Sequence, residues 1–81
     1  MNIRINKHRN RREWFTLDFC SRESCGRIAD FLKERFIDIE THIDSGSFAP
    51  DMHQMIIKIT SEEEMITFAF WWRSNGKSID I

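Results

Sequence analysis

Residues 61–76 read SEEEMITFAFWWRSNG, and the conformation of this stretch decides which fold the chain adopts. A serine followed by three glutamates is a capping box, whose side chains hydrogen-bond to the free N–H groups of a first helical turn. The glutamate charges also suit the positive end of a helix. Apolar residues then recur at helical spacing, at Met65, Phe68, Ala69 and Trp72. Because Asn75-Gly76 is a common helix terminator, the stretch predicts a helix that stops there in a left-handed C-cap.

The same stretch also has a strand-like pattern, which predicts a different structure. Ile66, Phe68, Phe70 and Trp72 occupy every second position, and Asn75-Gly76 is the strongest short hairpin signal. In this alternative the glutamates make only a turn, and residues 65–81 form a hairpin. We favour the helix because the capping box, the charges and the terminator agree, and we keep the hairpin as the alternative.

The rest of the chain supplies the remaining strands and one more helix. Alternating hydrophobic residues predict strands at 14–19, 37–44, 53–60 and 78–81, and a helical period predicts a first helix between Ser21 and Phe36. The residues expected to face the core are Cys25, Ile28, Phe31, Leu32 and Phe36 in the helix, and Ile37, Ile39 and Ile43 in the following strand.

The resulting order β-α-β-β-α-β predicts an α+β fold of the ferredoxin-like, split β-α-β type. This fold has a four-stranded antiparallel sheet with both helices on one face. Right-handed crossovers place the first and third strands at its centre. If the decisive stretch is a hairpin, one helix packs instead on a larger antiparallel sheet that ends in the hairpin at Asn75-Gly76.

Residues 1–12 differ in charge from the rest of the chain. They carry five basic residues and no acid, whereas the remaining residues carry seven basic and thirteen acidic residues. Ile3 and Ile5 alternate with polar residues, so this segment is either a basic N-terminal arm or a short edge strand. Residues 13–81 are then a single α+β domain.

Length and composition narrow the class of protein. With 81 residues, of which 41% are hydrophobic, the chain has enough apolar side chains for one core. Its longest apolar stretch is far shorter than the roughly 20 residues of a membrane helix, and the basic N-terminus is not followed by the apolar segment of a signal peptide. We therefore expect a cytoplasmic protein in which Cys20 and Cys25 stay reduced.

No group of residues in the sequence predicts catalysis. The chain has no glycine-rich phosphate loop, no Ser/His/Asp set and no cofactor fingerprint. Cys20 and Cys25 flank a predicted strand–helix junction, but their spacing is not that of small metal carriers, and His42 and His53 complete no tetrahedral ligand set. We expect no enzymatic activity, no metal and no cofactor.

More apolar residues follow the glutamates than a helix on so small a domain can bury. At about 100° per residue, Ile66, Phe70 and Trp71 point away from the core stripe of this helix. Tryptophan is also a frequent anchor of protein interfaces, and Phe48 adds an apolar residue to a polar loop. These residues predict docking to a protein partner or to a second copy in a homodimer.

The open face of the predicted sheet is a second candidate surface. Asp38, Glu40, His42 and Asp44 would follow one another along one strand at a spacing of about 7 Å. This mostly acidic stripe has nearly the spacing of phosphates along a nucleic-acid strand, which suits a protein partner that normally binds nucleic acid.

We therefore expect a small, non-enzymatic interaction module that acts as a regulator or inhibitor, of the type carried by phages and mobile elements. Its contact residues would be Trp71, Phe70, Ile66, Phe48, Asp38, Glu40 and Asp44. The alternative is a nucleic-acid-binding protein whose N-terminal segment contacts phosphates through Lys7, Arg9, Arg11 and Arg12.

Overall fold

The computed structural model of the chain describes residues 2–17, 21–44, 53–75 and 77–80. These residues form five strands and two helices in an α+β arrangement. In chain order the elements are β1 (Asn2–Lys7), β2 (Trp14–Leu17), α1 (Arg22–Arg35), β3 (Ile39–Asp44), β4 (Gln54–Ile59), α2 (Glu62–Ser74) and β5 (Ser78–Asp80). The preferred helix over the decisive stretch is therefore present as α2.

The described strands form one five-stranded sheet in the order β3-β4-β2-β1-β5, and every neighbouring pair is antiparallel. The prediction of four strands is wrong by one strand. As predicted, β2 and β4 are interior strands. Because β1 lies between β2 and β5 and is antiparallel to both, β5 runs in the same direction as β2 and does not pair with it. The ferredoxin-like strand order is not confirmed, and the alternative is right only in its larger antiparallel sheet.

β1 accounts for this difference. The sequence suggested an arm or an edge strand here, but β1 has a partner on each side: Ile5 lies opposite Leu17 of β2, and Ile3 lies opposite Ile79 of β5. The backbone N–H of Ile5 also donates to the carbonyl oxygen of Lys77 at 2.8 Å. Residues 2–7 are therefore an internal strand of the sheet.

The core lies on the one face of the sheet that both helices cover. Strand residues alternate, so that every second side chain is buried there and its neighbours lie on the open face. The buried residues form one cluster: Ile3, Ile5, Phe15, Leu17, Ile39, Met55, Ile57, Ile59 and Ile79 from the strands, Cys25, Ile28, Ala29, Leu32 and Phe68 from the helices, and Phe36 directly after α1.

Both helices begin with the serine caps that the sequence predicts. The Ser21 Oγ accepts the backbone N–H of Ser24 at 3.2 Å, and the Ser61 Oγ accepts that of Glu64 at 3.1 Å. Each bond satisfies a donor that the first turn of a helix leaves free. Glutamates in the first turn of α2 and Arg73 in its last turn complement the helix dipole.

The left-handed C-cap predicted at Asn75-Gly76 is described only at Asn75, which follows the helix with a φ of −99°. Lys77 has a positive φ of 65°. The Lys77 N–H donates to the carbonyl oxygen of Trp72 at 2.9 Å, which closes the turn into β5. Gly76 lies outside the described residues.

Two residues predicted to face the core are exposed: Ile37, and Ile43 of β3, which has 38% of its surface accessible. Ile37 was expected to face inward, but β3 begins only at Ile39, and Ile37 lies in the preceding bend with 91% of its surface exposed. Because Ile37 precedes the first residue of β3, its side chain does not follow the in–out alternation of the strand. No described helix is both long and apolar enough to cross a membrane.

The internal position of β1 gives a testable prediction for stability. Ile5 has no exposed surface, so Ile5→Ala should lower the free energy of unfolding by about 2–4 kcal/mol through lost burial and a residual cavity. The matched control is Ile37→Ala, which deletes the same atoms at an exposed site and should change stability by less than about 0.5 kcal/mol. Urea unfolding measures both, and equal effects would contradict the placement of β1.

Candidate interaction face of the second helix

Helix α2 contacts the core along one side only. All of its residues are described, and among them Phe68 alone is buried. The Phe68 ring lies 4.7 Å from Phe15 of β2 and 4.9 Å from Phe36 after α1, measured between ring centroids. Phe68 therefore joins α2 to the sheet and to the first helix at one point.

Trp72 attaches the C-terminal half of α2 to β1. Its indole Nε1 donates a hydrogen bond to the carbonyl oxygen of Ile5 at 2.7 Å. The ring also packs edge-on against Phe15 at 5.4 Å, and the Lys77 ammonium lies 4.8 Å from the indole centroid. These contacts fix the rotation of α2 about its axis, because Trp72 and Phe68 both point toward the sheet.

Trp71 packs between the two helices rather than outward. Its ring lies 5.5 Å from Phe68, 5.6 Å from Phe36 and 6.2 Å from Phe31. The side chain is half-buried and packs against the core cluster. Trp71 is therefore mainly a structural residue, and only its edge borders the outer face of α2. The sequence had placed it away from the core because helical angles do not show where α1 lies.

Ile66 and Phe70 are the exposed apolar residues of α2. They are 69% and 72% exposed and lie one turn apart on the side of α2 opposite Phe68. Beside them is a shallow depression of about 520 Å³, lined by Ile66, Thr67, Phe70, Trp71, Ser74 and Asn75. We call this side of the helix, from Glu62 through Ile66 and Phe70 to Arg73, the outer face of α2.

A second groove runs between α2 and the β1–β2 hairpin. It has a volume of about 310 Å³ and is lined by Lys7, Arg12, Phe15, Met65, Ile66 and Ala69. Arg12 also lies 4.0 Å from Glu62, and both side chains are well exposed. Two of the four basic residues assigned to nucleic-acid binding therefore line a groove beside α2.

The other basic residues of the N-terminal segment lie elsewhere. The Arg11 guanidinium is 4.6 Å from the centroid of Trp14 on the open face of the sheet, and Arg9 is exposed in the turn. The ammonium of Lys58 lies 4.7 Å from the same indole, and His8 packs edge-on against it at 5.1 Å. The four cations thus do not form one contiguous patch.

Sequence reasoning missed this cluster of His8, Arg11, Trp14 and Lys58. The sequence pattern could not place the basic N-terminal segment beside Trp14 and Lys58 of the sheet. The alternation of Ile3 and Ile5 followed by polar residues was the available signal for a hairpin between β1 and β2. The His8 N–H donates to the Trp14 carbonyl oxygen at 3.0 Å across that hairpin.

The proposed acidic stripe is only partly assembled. Asp38 precedes β3 and is exposed, and its carbonyl oxygen accepts the Thr60 N–H at 2.9 Å. Glu40 lies opposite Lys58 of β4, and its carboxylate is 3.8 Å from the His42 imidazole. Lys58, a cation opposite Glu40, therefore interrupts the negative charge. Asp44 ends β3, but nothing is described of its side chain, and Phe48 lies outside the described residues.

The described residues contain no group of three or more His, Cys, Asp or Glu side chains placed to hold a metal ion. Cys25 is buried in the core, and Cys20 lies outside the described residues. Comparisons with protein-family models, with curated proteins and with solved structures gave no match to this chain. The geometry of its own residues is therefore what bears on its function.

The different roles of Trp71 and Phe70 are testable. Trp71→Ala should cost about 2 kcal/mol of unfolding free energy, because it removes a ring packed between both helices. Phe70→Ala should cost less than about 0.5 kcal/mol, since its ring is exposed and alanine favours the helix. Thermal or urea unfolding of the isolated protein measures both variants, and a larger loss for Phe70→Ala would contradict this assignment.

Proposed function

We propose that this protein is a small, non-enzymatic interaction module whose outer α2 face contacts another polypeptide chain. The observation that supports this proposal is the exposure of Ile66 and Phe70 one turn apart on a helix that is anchored from the opposite side. Single exposed apolar residues are common on protein surfaces, but an adjacent pair beside an apolar depression is typical of contact sites.

The rigidity of this face also favours binding. Trp71 borders it and is held by three aromatic neighbours, while Trp72 and Phe68 fix the helix from beneath. A face that is ordered before association loses little conformational entropy when a partner covers it. Phenylalanine and isoleucine then gain burial at about 25 cal/mol per Å² of apolar surface removed from water.

The remaining parts of this proposal rest on composition and size. They are a cytoplasmic location and a role as a regulator or inhibitor of the phage or mobile-element type. The acidic stripe gives weaker support to a partner that binds nucleic acid, because Lys58 and His42 lie among its carboxylates.

Nucleic-acid binding through Lys7, Arg9, Arg11 and Arg12 stays a prediction with less geometric support. These side chains are divided between the groove beside α2, the turn and the open sheet face. Removing residues 1–12 would also delete the internal strand β1, so the variant for this alternative is Arg9→Ala combined with Arg11→Ala. Nucleic-acid binding would show a strong salt dependence that this variant reduces.

Site-specific photocrosslinking tests the interaction module. A benzoylphenylalanine at position 70 should give discrete covalent adducts in lysate of the native source, because the outer face of α2 is covered by a partner. The same probe at position 37 is the matched control, since Ile37 is also exposed and apolar but lies on the α1–β3 connection.

Adducts that form only at position 70, and that an excess of protein without the photocrosslinking residue prevents by competition, would support the proposal. Equal yields at positions 37 and 70, or no adduct at either, would overturn it. The mass of an adduct separates a second copy of this chain from a larger protein.

A further inference from the structure

We infer that the partner covering the outer face of α2 is a second copy of this chain, bound through an antiparallel α2–α2 contact. This inference rests on the proposed function, since it names the occupant of the same face. It is carried by the order of four side chains along the helix and by the charges at its two ends.

The four side chains of the outer face lie on one stripe. Glu62, Ile66, Phe70 and Arg73 are separated by four, four and three residues, which keeps them on one side of a helix with about 3.6 residues per turn. The stripe therefore reads acidic, apolar, apolar, basic from its N-terminal end to its C-terminal end. A second copy of the helix that runs in the opposite direction therefore presents Arg73 where the first copy has Glu62.

This pattern is self-complementary, as a two-fold symmetric interface requires. In such an interface the same patch is used by both copies, and a contact between two different residues occurs twice. An antiparallel pair places Glu62 of each copy beside Arg73 of the other and brings Ile66 and Phe70 to the centre. A parallel pair would instead place like charges together at both ends.

The shape of the outer face supports the same arrangement. The depression beside Phe70 is bounded by Ile66, Thr67 and Trp71 and is open to solvent. In the antiparallel pair the Phe70 ring of the second copy reaches this depression from the level of Ile66. An exposed ring and a depression that flanks the same stripe are what knob-and-hole packing between two helices needs.

Glu62 and Arg73, the charged residues at the two ends of the stripe, are both exposed. Glu62 lies 4.0 Å from Arg12, with side chains that are 83% and 72% exposed. Such an exposed pair contributes little and does not prevent a second contact. Because a helix of this length is only about 20 Å long, the contact is small. We expect a dissociation constant in the micromolar range rather than the affinity of a large obligate dimer.

Charge reversal tests the antiparallel dimer by sedimentation equilibrium on the purified full chain. Wild type should show a concentration-dependent monomer–dimer equilibrium. Glu62→Arg and Arg73→Glu should each weaken it about tenfold, since both symmetric contacts change from attraction to repulsion. The double variant, and an equimolar mixture of the two single variants, should recover dimerisation because each restores opposite charges across the contact.

Two variants without charge changes complete the test. Phe70→Ser should weaken association by about a hundredfold or more, since both copies lose a buried ring. Ile37→Ser, an apolar-to-polar change outside α2, should leave it unchanged. Circular dichroism of each variant confirms that the loss concerns association and not folding, because Glu62 and Arg73 also complement the dipole of the isolated helix.

A protein that stays monomeric at millimolar concentration would overturn the inference. The inference would also be overturned if Phe70→Ser weakened association but the charge reversals left it unchanged. The two copies would then associate in a parallel or another arrangement. In either case the interaction module itself is decided separately, by whether position 70 crosslinks to a heavier protein while position 37 does not.

Discussion

The structure depends on one aromatic contact, in which Phe68 of α2 packs against Phe15 of the sheet and Phe36 after α1, with Trp72 bonded to β1 beside it. The sheet and α1 leave room for one side of a second helix, and Phe68 fills it. Trp71 and Trp72 pack at the edge of this contact, and Phe70 on the opposite side of the helix lies in water. The exposed outer face follows directly from the small size of the domain, because a short chain buries a smaller fraction of its surface than a long one.

The local elements of the fold could be predicted from the sequence, but the sheet could not. Both helices have serine caps and apolar stripes, which are short-range signals that the structure confirms. The place of β1 depends on contacts far away in sequence, such as the bond from Trp72 to Ile5, across 67 positions. Six residues containing two isoleucines carry too little pattern to predict pairing with both β2 and β5.

The candidate site shows the same division between local and long-range information. Helical angles alone predicted that Ile66 and Phe70 would be outside the core stripe, and both are exposed. The same angles misplaced Trp71, because its environment is set by Phe31 and Phe36 of another part of the chain. The proposed acidic stripe is likewise not continuous, because Lys58 of the neighbouring strand lies opposite Glu40.

Fluorine NMR of the protein labelled with 4-fluorophenylalanine tests the half-buried state of α2 most directly. Transfer from H2O to D2O shifts the resonance of a fluorine that touches solvent. At low micromolar concentration the Phe70 signal, assigned with a Phe70→Leu variant, should show this shift in full, and the Phe68 signal should show none. A Phe70 signal as insensitive to D2O as that of Phe68 at the lowest concentration would contradict the account.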